Sequence, residues 1–308
     1  MIITEFMDAP AVARLANAHD TLYAADLVDR PERLRAEIAT ADALIVRNRT
    51  QVNADLIGVA ARLKVVGRLG VGLDNIDVDA CRARGIDVIP ATGANALAVA
   101  EYVIGTAMLL LRGAYFASAA VAGGQWPRGT LSNGREIAGR TLGVVGFGGI
   151  GRLTAKLAQG LGMRVLGHDA QLPATAPLWA ETGVTPRSLG DVLAEADVVT
   201  LHVPLSRDTR HLIDAARLAT MKNDAILINT ARGGVVDEAA VADALRAGRL
   251  GGAALDVFEQ EPLPAGSPLA GCPNLVLTPH IAGVTRESNA RVSTLIAEKV
   301  AAALAARR

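Results

Sequence analysis

Three segments in the second half of this 308-residue chain end an apolar run with groups that could handle protons or anions. They are Ile226-Leu-Ile-Asn-Thr-Ala-Arg232-Gly-Gly, Ala254-Leu-Asp256-Val-Phe-Glu-Gln-Glu261-Pro and Val276-Leu-Thr-Pro-His280-Ile-Ala-Gly. A histidine can give or take a proton near neutral pH, and a carboxylate can orient its imidazole. An arginine can pair with a substrate carboxylate and polarise a carbonyl. Arg232, a glutamate of the second segment and His280 converging beside a redox cofactor would fit the interconversion of a 2-hydroxyacid and a 2-oxoacid, with Glu261 one candidate for the acid. Glu259 is the competing acid in the same segment. Singly, an Arg before Gly-Gly is more often a surface cation, and a Glu-Pro more often a loop carboxylate.

A second pattern supplies the cofactor. Leu142-Gly-Val-Val-Gly146-Phe-Gly148-Gly149-Ile150-Gly151 is an apolar run entering G-x-G-x-x-G, followed by a helical pattern at Arg152–Leu161. The first glycine permits a tight turn, the second lets backbone N–H groups approach a pyrophosphate, and the third allows close helix–strand contact. The helix N-terminus adds partial positive charge. Asp169 ends the next apolar run, eighteen residues after Gly151, close to the roughly 20 expected of the acid that binds the adenosine ribose. Its charge would repel a 2′-phosphate, and Ala170 and Gln171 bring no cation to offset that. NAD is expected over NADP.

The elements that must position these groups follow from hydrophobic pattern. Short β-branched runs alternate with alanine-rich helical stretches, the signature of βαβ units and parallel sheets. Strands are expected near Ile2–Phe6, Ala43–Arg47, Lys64–Leu69 and Asp87–Ile89, with helices at Pro31–Thr40 and Val78–Arg84. A long apolar helix spans Asn95 to Arg112, and a loop covers Gly123–Gly129. A second series has strands at Thr141–Gly146, Arg164–Gly167, Val198–Val203, Ala225–Asn229, Gly252–Val257 and Leu275–Thr278. A helix at about Arg286–Ala306 closes the chain.

Composition narrows the function classes. Thirty-one basic residues balance 31 acidic ones, and aromatics are only 3%. No broad positive field exists to hold nucleic acid or an acidic membrane. The longest strongly apolar run, Tyr102–Leu111, has ten residues, against about 20 for a spanning helix. Glu5 and Asp8 in the first eight residues argue against a signal peptide. Cys81 and Cys272 are unclustered, so neither a disulfide framework nor a zinc site is expected. His19, His168, His202 and His211 have no metal partner at a useful spacing and are expected to be mostly structural. A soluble cytoplasmic protein is expected.

With these residues in view, the sequence resembles the D-isomer-specific 2-hydroxyacid dehydrogenases over essentially its whole length. The likeness runs from Arg47-Asn-Arg-Thr through Val66-Gly-Arg-Leu-Gly-Val-Gly-Leu-Asp-Asn-Ile-Asp77 to the glycine loop and the three segments above. The resemblance implies two doubly wound parallel-sheet domains, a Rossmann-type cofactor domain inserted into a flavodoxin-like substrate domain. The substrate domain would be 1–94 with 284–308, and the NAD-binding domain 95–283. It assigns catalysis to Arg232, Glu261 and His280. It places the substrate carboxylate on the N–H groups of Val71 and Gly72, with Asn95 nearby. His202 and Pro204 are expected beside the adenosine half of the cofactor, Thr230 and Ala231 also against the cofactor, and Asp256 at the nicotinamide amide. The Ala114–Gly129 arm is expected to help form a homodimer.

Two branches of that family are similar. Phosphoglycerate dehydrogenases share Ile45-Val-Arg47, Val66-Gly-Arg68 and the Gln125-Trp-Pro-Arg128 neighbourhood. Bacterial (2S)-3-sulfolactate dehydrogenases share Ile3-Thr-Glu-Phe-Met-Asp8, Val46-Arg-Asn-Arg-Thr50, Pro90-Ala-Thr-Gly and His280-Ile-Ala-Gly-Val-Thr285. Both substrates carry a second anion on C3, for which Arg47, Arg49, Arg68 and Arg128 are candidate partners. Ala96 departs from the small polar residue common after the family Asn. The chain ends at its closing helix, so no carboxy-terminal regulatory domain is expected. Reduction of hydroxypyruvate or glyoxylate, and an idle NAD-sensing protein on the same fold, are the competing functions. Dispensable arginines would favour the first, and NAD binding without turnover the second.

Overall fold

The computed structural model describes residues 1–307. The chain divides into two compact units, Met1–Asn95 with Val284–Arg308, and Ala96–Gly283. The first unit has five parallel strands: β1 (Ile2–Ile3), β2 (Leu22–Tyr23), β3 (Ala43–Val46), β4 (Val65–Arg68) and β5 (Asp87–Pro90), in the order β2-β1-β3-β4-β5. Alternate residues feed two cores. Leu44, Val46 and Val66 enter one, while Ala43, Ile45 and Val65 enter the other. A sheet buried on both faces needs such near-continuous apolar strands. The Arg286–Ala305 helix supplies Ile296 and Val300 to the second core. It lies so close to β4 that a Cβ on Gly67 would meet Val300 Cγ2 at 2.7 Å.

The second unit has seven parallel strands: β6 (Thr141–Val145), β7 (Arg164–His168), β8 (Thr185–Pro186), β9 (Val198–Leu201), β10 (Ile226–Asn229), β11 (Gly252–Leu255) and β12 (Leu275–Leu277). Their order is β12-β11-β10-β9-β6-β7-β8. Again the pleat sorts the side chains: Ile226 and Ile228 pack on one face, Leu227 on the other. The Ala96–Arg112 helix buries Val103, Ala107, Leu110 and Leu111 in the first of these cores. Among the described residues no single helix is long and apolar enough to cross a membrane. Ala96–Arg112 with Ala114–Ala122 passes that test only as a pair bent by 68°.

Differences from the expected boundaries have local causes. The first strand stops at Ile3, not Phe6, because Glu5 turns inward and takes the N–H groups of Arg47, Arg49 and Thr50. The helix after the glycine loop begins at Gly149, three residues before Arg152, with Gly148 as its N-cap. The expected Gly123–Gly129 loop runs into a short helix at Arg128–Leu131. The two-residue edge strands β2 and β8 were not expected; they are too short to leave a periodic signal.

Candidate active site

In the second unit the order in which successive strands are added reverses between the parallel neighbours β6 and β9, and ligands of open parallel sheets bind beyond the carboxyl ends at such a switch point. The predicted cofactor residues all follow carboxyl ends on this edge: Gly146–Gly151 after β6, Asp169 after β7, His202 and Pro204 after β9, Thr230 and Ala231 after β10, and Asp256 after β11. Gly146 has φ 94°, and a Cβ there would meet the His202 carbonyl oxygen at 2.6 Å. The turn therefore requires glycine and packs directly on His202. Gly148 and Gly149 would meet nothing within 4 Å, so this side of the loop is open. Ile150 lies in the first turn of the Gly149–Gly160 helix. Asp169 holds the loop from the next strand, its Oδ2 accepting from Phe147 N at 2.7 Å and its Oδ1 from Gln171 N at 2.8 Å.

These features fit a dinucleotide. The loop presents an open glycine backbone at a helix N-terminus, Asp169 keeps further acceptor capacity, and Thr230 Oγ1 is buried without a hydrogen-bond partner. Pro204 is exposed, its carbonyl accepting from Thr209 Oγ1 at 2.6 Å. The His202 imidazole meets Thr200 Oγ1 at 3.1 Å, and burial pushes its pKa down to about 4.

Three loops on the same edge carry the proton and anion groups. Asn229, 1% exposed, ends β10 and folds its own loop. Its Oδ1 accepts from Ala231 N and its Nδ2 donates to the Arg232 carbonyl, both at 3.0 Å. Gly233 then presses on the Phe258 carbonyl so closely that no Cβ fits, which joins the Arg232 loop to the Glu261 loop. Glu261 Oε1 accepts from Phe258 N at 3.0 Å, and its Oε2 meets His280 Nδ1 at 2.8 Å. Burial raises the Glu261 pKa. The His280 contact, the Phe258 N–H and the charges of His280 and Arg232 outweigh it, and the net shift is downward. Glu259 turns elsewhere, to His211 Nε2 at 3.2 Å.

His280 has a left-handed backbone, φ 55°. Asp256 is the reason it can: its carbonyl takes the His280 N–H at 2.9 Å, and its carboxylate takes the N–H groups of Ile281 and Ala282, both at 2.8 Å. Asp256 is 1% exposed, so beyond the expected cofactor position it is an internal anchor of the His280 loop.

The predicted anion-binding residues of the first unit follow β3 and β4. Arg47 donates to Asn289 Oδ1 at 3.0 Å and lies 5.8 Å from the Phe6 ring centroid. Burial lowers its pKa against the opposing charge of Glu5. Arg49 is committed to an exposed ion pair with Asp29. The Arg68 guanidinium folds against Gly70, just ahead of the exposed Val71 and the partly buried Gly72. Asn95 directly precedes the Ala96–Arg112 helix, with its Oδ1 buried and unpartnered. Arg128 opens the short exposed helix of the arm. Glu5 and Asn75, which sequence reasoning did not single out, fix the Arg47–Thr50 loop. Asn75 Nδ2 donates to the carbonyls of Arg47 at 3.2 Å and Thr50 at 2.7 Å. An acidic residue inside an apolar opening run was the available signal for Glu5.

With this geometry in place, the family model for the NAD binding domain of the D-isomer specific 2-hydroxyacid dehydrogenases matches residues 104–282. The chain belongs to this family. It is an NAD-dependent oxidoreductase acting on the CH–OH group of 2-hydroxyacids. The chain is 53% identical to the (S)-sulfolactate dehydrogenase of Chromohalobacter salexigens, covering 100% of this chain and 99% of that protein. Identity to the D-3-phosphoglycerate dehydrogenase of Methanocaldococcus jannaschii is 39%, over 97% of this chain but only 56% of that protein. Among solved structures, the D-lactate dehydrogenase of Aquifex aeolicus, complexed with NAD and lactic acid, superposes with a TM-score of 0.85. It is 30% identical and covers 99% of this chain and 95% of its own. The parallel two-sheet architecture is that of this dehydrogenase family.

Proposed function

We propose that this dehydrogenase acts on a 2-hydroxyacid bearing a second anion on C3, with 3-sulfolactate as the substrate of choice, and that His280, Glu261 and Arg232 carry its catalysis. The observation that carries the assignment is the 2.8 Å contact of His280 Nδ1 with Glu261, in a loop joined to that of Arg232. Bound NAD supplies the hydride acceptor for C2, and NADH the donor in reverse. With Nδ1 held by Glu261, His280 keeps Nε2 for the C2 oxygen, taking its proton in oxidation and returning it in reduction. Arg232 pairs with the substrate carboxylate and polarises the C2 carbonyl. Val71, Gly72 and Asn95 hold that carboxylate from backbone N–H and amide groups.

Gly146, Gly148, Gly149, Ile150 and Gly151 would cradle the pyrophosphate, Asp169 would hold the ribose, and His202, Pro204, Thr230, Ala231 and Asp256 would complete the cofactor site in the 95–283 domain. Arg47 is the favoured partner of the C3 anion, since its half-buried guanidinium contacts a neutral amide and Arg49 already has Asp29. Arg68 and Arg128 are further candidates. The reading also takes the protein as a cytoplasmic homodimer formed through the arm, where Trp126 is 77% and Tyr115 62% exposed. Two free thiols, Cys81 and Cys272, fit a reducing compartment.

The test is NADH oxidation with 3-sulfopyruvate, 3-phosphohydroxypyruvate, hydroxypyruvate and pyruvate, by wild type and Arg47→Ala. Specificity should be highest for 3-sulfopyruvate. The substitution should raise its KM about 10–150-fold, the worth of one desolvated charge-assisted hydrogen bond, and that of pyruvate far less. Good turnover of pyruvate with none of the C3 anions would refute the substrate proposal.

A further inference from the structure

Behind the His280 loop runs a chain of hydroxyl groups that none of the roles above uses. Thr278 Oγ1 donates to Asp256 Oδ1 at 2.6 Å, and Tyr102 OH lies 2.6 Å from the same Thr278 oxygen. Thr278 has one hydroxyl hydrogen and spends it on Asp256, so the Tyr102 phenol must be the donor in its contact. Burial pushes the Tyr102 pKa up. The Thr278 hydrogen bond opposes this, the Asp256 charge adds to it, and the phenol keeps its proton.

Asp256 thus receives three donors on its carboxylate, from Thr278, Ile281 and Ala282, and a fourth, His280 N–H, on its carbonyl. The N–H groups of three successive residues converge on one buried side chain and its own backbone. Such a nest binds an anion only while the anion stays in place, and the left-handed φ of 55° at His280 persists only while its surroundings hold it. The Ile281 and Ala282 N–H groups hold the carboxylate from the very loop it shapes, so its orientation needs a support outside that loop. Tyr102, on the long Ala96–Arg112 helix, fixes it through Thr278.

We infer that Tyr102 and Thr278 are positioning residues of the reaction: they orient Asp256, which in turn sets the His280 imidazole. This rests on His280 being the proton donor.

The experiment uses the full-length enzyme with Tyr102→Phe, Thr278→Val and Thr278→Ser. Steady-state kinetics on the best 2-oxoacid would be combined with NADH titration by fluorescence and with amide hydrogen exchange at Ile281 and Ala282 without substrate. Displacing a reacting group by a fraction of an ångström to an ångström costs up to about 10²-fold in rate. Thr278→Val should therefore lower kcat about 10–100-fold with the oxoacid KM little changed and NADH affinity weakened by at most about 3-fold through Asp256, and should speed exchange at both amides. Tyr102→Phe should do the same more mildly. Thr278→Ser, which keeps the hydroxyl, should return kcat to within about 3-fold of wild type. Wild-type kcat and amide protection in Thr278→Val, or a Thr278→Ser enzyme as slow as Thr278→Val, would overturn the inference. If His280→Ala kept full turnover, the proton-donor reading would fall, while amide exchange would still decide whether the network holds the loop.

Discussion

Two histidine–glutamate pairs are built on one loop, and they differ in how they are held. Glu259 meets His211 at 3.2 Å and Glu261 meets His280 at 2.8 Å. Both histidines have left-handed backbones, φ 47° and 55°. The difference lies in what surrounds them. Glu261 is held by Phe258 N–H, faces the charge of Arg232 and is driven toward its ionised form. Its histidine follows β12 and is anchored by the buried Asp256. Glu259 instead has its backbone N–H on Glu238, and its pair with His211 holds neighbouring loops together. A His–Glu contact alone does not separate the two pairs; the pair proposed for catalysis is the one whose two members are both anchored and which has a cation beside it.

The contrast can be pressed with single substitutions. Glu261→Gln keeps the shape but removes the charge that orients His280, and kcat should fall about 10²-fold, within the usual range for losing acid–base function. Asp169→Ala, read as the ratio of kcat/KM for NAD over NADP, should shift that ratio about 10–100-fold toward NADP. It removes a ribose acceptor and a repelling charge together. An unchanged ratio would mean that Asp169 serves only to hold the backbone of Phe147 and Gln171.

A third histidine sharpens the comparison because it has no carboxylate partner. His202 is partly buried, and desolvation holds it toward the neutral form, with a pKa of about 4 against an ordinary value of 6.5. The unfolded chain therefore takes up a proton that the folded one refuses. The stability linked to this group is intact above about pH 6.5 and drains away as pH falls toward 4, by at most about 3 kcal/mol. Thermal unfolding followed from pH 7 to 4.5 should show a shallower fall of Tm for His202→Gln than for wild type. Equal slopes would show that burial does not control this imidazole.

Most of the candidate site could be read from the chain because its parts are local. The glycine loop, Asp169, Arg232, Glu261 and His280 each sit within a few residues of an apolar strand, and parallel sheets deliver strand ends to one edge. What could not be read is what holds those parts. Tyr102 reaches Thr278 across 176 positions and Glu5 reaches Arg47 across 42. No spacing rule links such pairs. Asp256 could be read as a site residue, but its three-donor carboxylate belongs to the fold of the His280 loop and emerges only in three dimensions. The edge strands escaped for another reason. At two residues each, β2 and β8 are defined by their neighbours' hydrogen bonds and carry no pattern of their own.

The most direct test of the distinction between the two pairs is the kcat of His280→Ala set beside that of His211→Ala, each with NADH affinity measured by fluorescence titration. Removing a positioned acid–base group should cost about 10²–10⁴-fold, so His280→Ala should lose that much turnover while binding NADH nearly as wild type does. His211→Ala should stay within about 3-fold of wild type, as expected of a surface pair worth about 1 kcal/mol or less. A His280→Ala enzyme that turned over at the wild-type rate, or a His211→Ala enzyme as slow as expected for His280→Ala, would contradict the account.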